Sequence, residues 1–106
     1  MPPRAVIRPK VPDDLREILA FLDTKSPEVA DRFAQSVAAT LESLVEMPGK
    51  GSLKQFRGQK FAGIRSWPVG GFKNYLILYL IVDVGIEVLA VTHGARRLPA
   101  ILKDRV

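Results

Sequence analysis

Three side chains in the second half of the chain are of types that could do chemistry together: Arg65, Tyr75 and His93. His93 is suited to donate a proton, because a free imidazole titrates at about pH 6.5. The Arg65 guanidinium can hold a phosphate through two parallel hydrogen bonds, and the Tyr75 hydroxyl could assist. His93 and Arg65 also have structural interpretations. His93 would then be a hydrogen-bonded residue at a strand end, and Arg65 would pin the sheet to the C-terminus or bind a partner's carboxylates.

Composition limits the chemistry to these groups. The 106 residues contain no cysteine and one histidine, which excludes disulfides, thiolate zinc sites and multi-histidine metal centres. We therefore expect no metal and no cofactor. The apolar share of 47% and the charged share of 25% are typical of globular domains. Without a membrane-length apolar run or a signal peptide, the sequence predicts a single cytoplasmic domain over residues 1–106, with no membrane partner.

Charge is unevenly distributed along the chain. Residues 1–10 carry a net +3, residues 11–47 a net −5 and residues 48–106 a net +7. Within the last part, residues 48–82 hold six basic side chains and no carboxylate. Such a stretch attracts a polyanion, which could be nucleic acid, the ribosome or an acidic protein segment. The alternative is a basic surface that is simply solvated.

The hydrophobic pattern predicts an α+β fold with a mostly antiparallel sheet. A strand at residues 5–7 precedes two amphipathic helices that form an antiparallel hairpin. The first helix is expected to be interrupted at residues 23–25, and Ser26 caps the second helix, which ends before Pro48. A three-stranded meander and a short helix then follow, with strands at 64–69, 75–82 and 86–93, turns at 70–71 and 83–85, and the helix at 98–102.

Hairpin geometry predicts which side chains share a face of the sheet. A loop at 83–85 pairs Tyr75 with His93, Ile77 with Val91 and Tyr79 with Leu89. A loop at 70–72 pairs Trp67 with Tyr75 and Arg65 with Ile77. One face is then wholly apolar and is predicted to carry the helices; it consists of Leu76, Leu78, Leu80, Val82, Ile86, Val88 and Ala90. The opposite face, away from the helices, holds Arg65, Trp67, Tyr75, Tyr79 and His93.

That second face is expected to expose apolar side chains. They are Ile77, Tyr79, Ile81, Leu89 and Val91. Because a monomer rarely leaves so much apolar surface in water, the sequence predicts a partner laid across the sheet. The alternative is that the loop at 49–63 or the C-terminal segment covers it.

The order and spacing of several short motifs resemble the RelE/ParE superfamily of bacterial type II toxin–antitoxin toxins, over nearly the whole chain. After the N-terminal strand, the matching pieces are Asp14-Leu15-x-x-Ile18, Ser26-Pro27-x-x-Ala30-x-x-Phe33, Pro48-x-x-Gly51, Gly63-x-Arg65, the strand ending at Tyr79, and Val91-x-His93-Gly94-x-Arg96. The resemblance implies a growth-inhibiting toxin. It also implies a cognate antitoxin that wraps the toxin with an extended or helical segment.

The superfamily divides over mechanism. RelE-like members cleave mRNA on the ribosome, which requires activation of the 2′-hydroxyl, a proton donor and cations around the phosphorane. ParE-like members inhibit DNA gyrase and lack the nuclease residues. The long second helix, the lack of a carboxylate between residues 48 and 82 and the lack of a tyrosine beyond Tyr79 favour the ParE-like branch. A non-toxic module that only binds the antitoxin is a third possibility.

The predicted site residues follow from this division. A nuclease would use Arg65, His93 and Tyr75. For an inhibitor, the expected contacts with the antitoxin or target are Arg65, Trp67, Tyr75, Ile77, Tyr79, Leu89, Val91, Arg96 and Arg97. Trp67 and Tyr79 have packing as an alternative role. Arg96 and Arg97 could be a solvated basic terminus, although the C-terminal part matters for toxicity in ParE-like members.

Overall fold

A short strand and a helical hairpin come first along the chain, as the hydrophobic pattern predicts. β1 spans Arg4–Ile7, α1 spans Val11–Lys25 and α2 spans Pro27–Glu46. The computed structural model describes residues 2–54 and 62–105. The apolar stripe of α2 faces the sheet, where Phe33, Val37 and Leu44 are buried.

Ser26 alone separates the two helices. Its backbone is extended (φ −166°, ψ 124°), because a residue before proline is disfavoured in the helical region. Its hydroxyl accepts a hydrogen bond from the Val29 N–H (3.4 Å) and so caps α2, as predicted. The predicted interruption at residues 23–25 is wrong. Those residues include no glycine or proline, and α1 continues to Lys25.

The second half of the chain forms the rest of the sheet. After a 3₁₀ turn at Pro48–Lys50, the elements are β2 (Ser52–Leu53), β3 (Arg65–Val69), β4 (Phe72–Val82), β5 (Gly85–His93) and α3 (Leu98–Leu102). The strand order is β1-β5-β4-β3-β2, with β1 parallel to β5 and the other pairs antiparallel. The α+β class, the meander and the terminal helix are confirmed, whereas the two-residue β2 was not predicted.

The β4–β5 hairpin follows the predicted register only at one end. Tyr75 pairs with His93 and Ile77 with Val91, as predicted. A bulge then leaves Leu89 without an opposite residue, so that Tyr79 pairs with Val88. The predicted Tyr79–Leu89 pair is therefore wrong. Beyond the bulge the alternation reverses, which places Ile86 and Val88 on the Tyr79 face rather than on the opposite one.

The β3–β4 register differs from the prediction by two residues. Arg65 lies opposite Tyr79, and Trp67 lies opposite Ile77. A shift by an even number keeps side chains on the same face. Arg65 and Trp67 therefore share a face with Tyr75, as predicted, although their neighbours along β4 are different.

The prediction of which face carries the helices is wrong. The hairpin of α1 and α2 packs on the face predicted to be open, and that core includes Phe33, Trp67, Tyr75, Ile77, Tyr79, Ile86, Val88 and Val91. The opposite face is covered from the C-terminal side, in a second cluster formed by Ile64, Leu78, Leu89, Ala90, Leu98 and Leu102. Both faces of the central strand are apolar, so its pattern could not distinguish them.

The predicted exposed apolar face is consequently absent from the described structure. Ile77, Tyr79 and Leu89 are fully buried and Val91 is 1% exposed, whereas Ile81 is 49% exposed. The alternative of a C-terminal cover is confirmed in part, since α3 covers the sheet, but on the other face. Residues 55–61, which belong to the other possible cover, lie outside the described residues.

Gly85 allows β5 to pair with β1. Its φ is +139°, and a Cβ there would lie 2.1 Å from the Arg4 carbonyl oxygen. We expect Gly85→Ala to lower the free energy of unfolding by more than the ~1–3 kcal/mol of backbone strain alone. Gly49→Ala is the matched control, because its Cβ would meet nothing within 4 Å. Urea unfolding measures both, and equal stabilities would contradict this role of Gly85.

Candidate functional site

Arg65 and Tyr79 both hold the turn that follows α2. Arg65 Nη1 donates to the carbonyl oxygens of Gly49 (3.2 Å) and Gly51 (2.8 Å). The Tyr79 hydroxyl donates to the Pro48 carbonyl (2.6 Å) and accepts from the Gly51 N–H (3.0 Å). Burial raises the pKa of Tyr79, opposed by its bond to Gly51 and by the charge of Arg65. Arg65 therefore pins this turn rather than the C-terminus.

Glycine is required within this turn. A Cβ on Gly51 would lie 2.3 Å from the Tyr79 hydroxyl oxygen, which is inside any allowed contact distance. The Pro48-x-x-Gly51 motif therefore marks the place where a buried tyrosine binds the backbone. The neighbouring Lys50 lies over the half-buried Trp67, with Nζ 4.8 Å from the ring centroid, and contacts Ser43. Trp67 thus has a packing partner within the chain.

Tyr75 and His93 form the pair that the register predicts. Their ring centroids lie 5.2 Å apart, edge to face, and Tyr75 packs in the same way on Phe33 at 5.1 Å. The His93 Nδ1 accepts a hydrogen bond from the Ala95 N–H (3.1 Å), so in the neutral ring the proton lies on Nε2. The imidazole therefore orders the turn after β5, which is the structural role considered above.

Arg65 does not join this pair. It lies opposite Tyr79, four residues along β4 from Tyr75, which corresponds to ~13 Å. Its guanidinium is also directed to the turn after α2. The structure therefore separates the three residues proposed for a nuclease into two sites, four residues apart along β4.

The remaining predicted contact residues differ in accessibility. Arg96 and Arg97 are exposed at the start of the C-terminal segment. Ile77, Tyr79, Leu89 and Val91, by contrast, lie in the two cores and are not accessible to a partner in this structure.

A buried ion pair joins α1 to the C-terminal segment, and the sequence did not predict it. Arg105 binds Asp14 through two hydrogen bonds, Nη1–Oδ2 at 2.5 Å and Nη2–Oδ1 at 2.8 Å. Their side chains are only 12% and 13% exposed. The hydrogen bonds to Asp14 raise the pKa of Arg105, against the opposing effect of burial. Sequence reasoning placed Asp14 only in a helix motif, and the partners are 91 residues apart.

The same two side chains satisfy the backbone at the β5 bulge. Asp14 Oδ2 accepts from the Val91 N–H (3.1 Å), and Arg105 Nη1 donates to the Leu89 carbonyl (3.2 Å). β1 pairs with β5 only as far as Val88, so these groups lie beyond its reach. The ion pair therefore supplies the hydrogen bonds that a longer β1 would make to this part of β5.

A groove of about 710 Å³ lies between α1, the end of β5 and the C-terminal segment. Its walls combine charged and apolar side chains, namely Lys10, Asp13, Asp14, Glu17, Ile18, Phe21, Tyr75, Val91, Thr92, His93, Ala95, Arg96, Ile101, Asp104 and Arg105. It is therefore where four predicted site residues, Tyr75, Val91, His93 and Arg96, meet the unpredicted ion pair, although Val91 is only 1% exposed.

Neither a metal-ligating cluster nor a membrane-spanning helix is found among the described residues. Within residues 2–54 and 62–105, no three histidine, aspartate or glutamate side chains are grouped so that they could hold a metal ion. In the same part of the chain, every helix is too short or too polar to cross a bilayer.

Comparison with known proteins points to one family. The model of the family described as "ParE toxin of type II toxin-antitoxin system, parDE" matches residues 5–98. Among solved structures, a chain from the chromosomal ParDE TA system from P. aeruginosa is similar, with a TM-score of 0.69 and 15% identity over 87% of this chain and 96% of that chain. At that identity the likeness concerns the fold alone. A search of curated proteins found no significant match.

α1 contributes an aspartate to each of two Arg–Asp pairs, and comparing these pairs tests the Asp14–Arg105 contact. We expect Arg105→Ala to lower the free energy of unfolding by ~3–5 kcal/mol, because it leaves the Asp14 carboxylate buried and uncompensated. Arg16→Ala is the control: it removes the exposed Asp13–Arg16 pair (2.8 Å), where a loss of about 0–1 kcal/mol is typical.

Urea unfolding of the two variants measures the difference. Similar losses would mean that the buried pair contributes no more than the surface pair, which would contradict its structural role.

Proposed function

Because this chain belongs to the family of ParE toxins of type II toxin–antitoxin systems, we propose that it inhibits growth by binding DNA gyrase and that a cognate antitoxin neutralises it. The toxin acts by contact rather than by turnover, as a cytoplasmic protein. The family match over residues 5–98 supports the toxin assignment, and the gyrase target is the step beyond it.

One observation carries the choice of an inhibitor over a nuclease. Phosphodiester cleavage needs a proton donor and a cation at the same phosphate. Arg65 lies opposite Tyr79 and is bound to backbone carbonyls, whereas Tyr75 and His93 lie four residues away along β4, with Arg65 directed to the turn after α2. Moreover, His93 Nδ1 is already engaged by the Ala95 N–H. This separation disfavours the assembly that ribosome-dependent cleavage of mRNA would require.

The charge pattern supports an acidic protein partner. The net charge is +5, and Arg96 and Arg97 are exposed beside the groove. An antitoxin segment with carboxylates would neutralise this charge on binding. We expect the toxin to form a stoichiometric complex with its cognate antitoxin.

The edge-to-face contact of Tyr75 and His93 keeps the RelE-like nuclease as the second candidate. Both residues line an open groove, so an RNA strand could in principle reach the Nε2 proton. A module that only binds the antitoxin is the third.

Expression in cells separates the three functions. We expect an SOS reporter to rise before any transcript is cleaved, and the purified toxin to inhibit supercoiling by gyrase. Rapid cleavage of transcripts before a DNA-damage signal would instead establish the nuclease. Normal growth together with tight antitoxin binding would establish the non-toxic module.

Two conservative substitutions test the mechanism at the groove. His93→Asn removes the imidazole but keeps an oxygen at the Nδ1 position that can accept from the Ala95 N–H, and Tyr75→Phe keeps the ring contacts with Phe33. A contact inhibitor should retain its gyrase inhibition in both variants, since no proton is transferred. A nuclease should lose about 10²–10⁴ in rate with His93→Asn.

Supercoiling and transcript-cleavage assays on the same preparations measure the gyrase inhibition and the RNA cleavage of each variant. Loss of toxicity in His93→Asn, at unchanged melting temperature and unchanged antitoxin affinity, would overturn the inhibitor proposal.

A further inference from the structure

The outer side of the short helix α3 is basic. The two leucines of α3 pack on the sheet, so its other side faces solvent. Arg97 directly before the helix and Lys103 directly after it are exposed, and neither forms an ion pair with another described residue. The exposed side chains between them, Pro99 and Ala100, are short. The two cations therefore flank an accessible surface about 9 Å long, at 1.5 Å per helical residue.

Two cations from the N-terminal part of the chain lie beside this surface. Arg8 Nη2 donates a hydrogen bond to the Arg105 carbonyl oxygen (3.0 Å), and Lys10 Nζ lies 3.9 Å from Asp104 Oδ2. Asp104 is the one carboxylate of residues 97–105, and Lys10 compensates its charge. The area around α3 therefore remains positive.

The helical hairpin on the other face of the sheet has the opposite charge. Residues 11–47 carry a net −5, whereas residues 48–106 carry a net +7. The hairpin of α1 and α2 packs on one face of the sheet and α3 packs on the other. A polyanion is therefore attracted to the α3 side of the molecule and repelled from the hairpin side.

Duplex nucleic acid fits the α3 surface better than a protein segment or single-stranded RNA does. Protein interfaces rely on aromatic or apolar anchors, and single-stranded RNA stacks its bases on aromatic rings. Residues 97–105 contain no aromatic side chain, and both leucines among them are buried. Contacts with a duplex backbone need only suitably spaced cations. Because one strand carries a phosphate about every 3.4 Å along the axis, a surface of about 9 Å spans about two or three of them.

We propose that the outer surface of α3 contacts the phosphate backbone of duplex DNA while the toxin is bound to gyrase, with Arg97 and Lys103 each binding a phosphate. The inference rests on the proposed function, because gyrase holds the duplex that the toxin meets. Neither residue lines the groove between α1 and the C-terminal segment, so the DNA contact uses a different surface. The toxin then binds gyrase more tightly when the enzyme holds DNA.

Titration of the toxin into a short labelled duplex, followed by fluorescence anisotropy at several salt concentrations, tests the contact. Each phosphate contact contributes about −0.9 to the slope of the logarithm of the binding constant against that of the salt concentration. The double variant Arg97→Gln/Lys103→Gln should therefore make this slope less negative by about 1.8. The matched control Lys25→Gln/Arg32→Gln removes the same charge from exposed positions of the helical hairpin and should leave the slope unchanged.

A second measurement separates the DNA contact from contacts with gyrase itself. Binding of the toxin is compared on gyrase alone and on gyrase loaded with duplex DNA. The double variant should match wild type on gyrase alone and bind the loaded enzyme about tenfold or more weakly, whereas the control matches wild type on both. Lys103→Gln alone, with an expected change of about 0.9 in the salt slope, remains informative if the double variant has a lower melting temperature.

The outcomes distinguish this inference from the proposed function. If wild type neither binds nor inhibits gyrase, the proposed function fails and the inference falls with it. If wild type inhibits gyrase but the double variant and the control bind the loaded enzyme equally, the DNA contact is absent and the proposed function stands. If the double variant binds gyrase alone more weakly, α3 contacts an acidic protein surface. If single-stranded RNA binds more tightly than the duplex, the ligand is RNA. Each of the last three results overturns the inference.

Discussion

The Asp14–Arg105 ion pair is the contact on which the geometry of the groove depends. It is bidentate and largely shielded from water, and the same two side chains complete the hydrogen bonds of Val91 and Leu89 where β5 bulges and β1 has ended. Shielded charges must be compensated, so neither partner can move without leaving the charge of the other unpaired. The first helix, the central sheet and the C-terminal segment therefore behave as one unit.

Most elements of this fold were predictable from sequence, but their packing was not. Local signals placed both helices, the meander and the short terminal helix, because caps, prolines and apolar periods act over a few residues. The prediction of which side chains face the helices was wrong beyond Leu89, where one inserted residue reverses the alternation of β5. It was also wrong for β4, because a strand covered on both sides has no polar side chains in alternation to mark a solvent face.

The candidate site shows the same division between local and distant information. The pairing of Tyr75 with His93 followed from a hairpin, and it is observed. The position of Arg65 depended on a second hairpin, whose register differs by two residues from the predicted one and is irregular between Pro68 and Val69; Arg65 therefore lies opposite Tyr79, and its guanidinium is bound at the turn after α2. The partner of Asp14 could not be found at all, because no spacing rule links residues so far apart. The groove that Asp14 and Arg105 line was therefore not predicted either.

The topology of the sheet has a consequence for how the protein is made. β1 pairs with β5, some eighty residues downstream, and such distant contacts form slowly because a long loop must close first. The helical hairpin, joined by Ser26 alone, relies on local contacts and can form early. During synthesis it precedes the sheet it covers, leaving Phe33, Val37 and Leu44 in water until β5 has been translated. The nascent chain thus presents to chaperones, or to an early-binding protein, an apolar stripe that the finished molecule conceals.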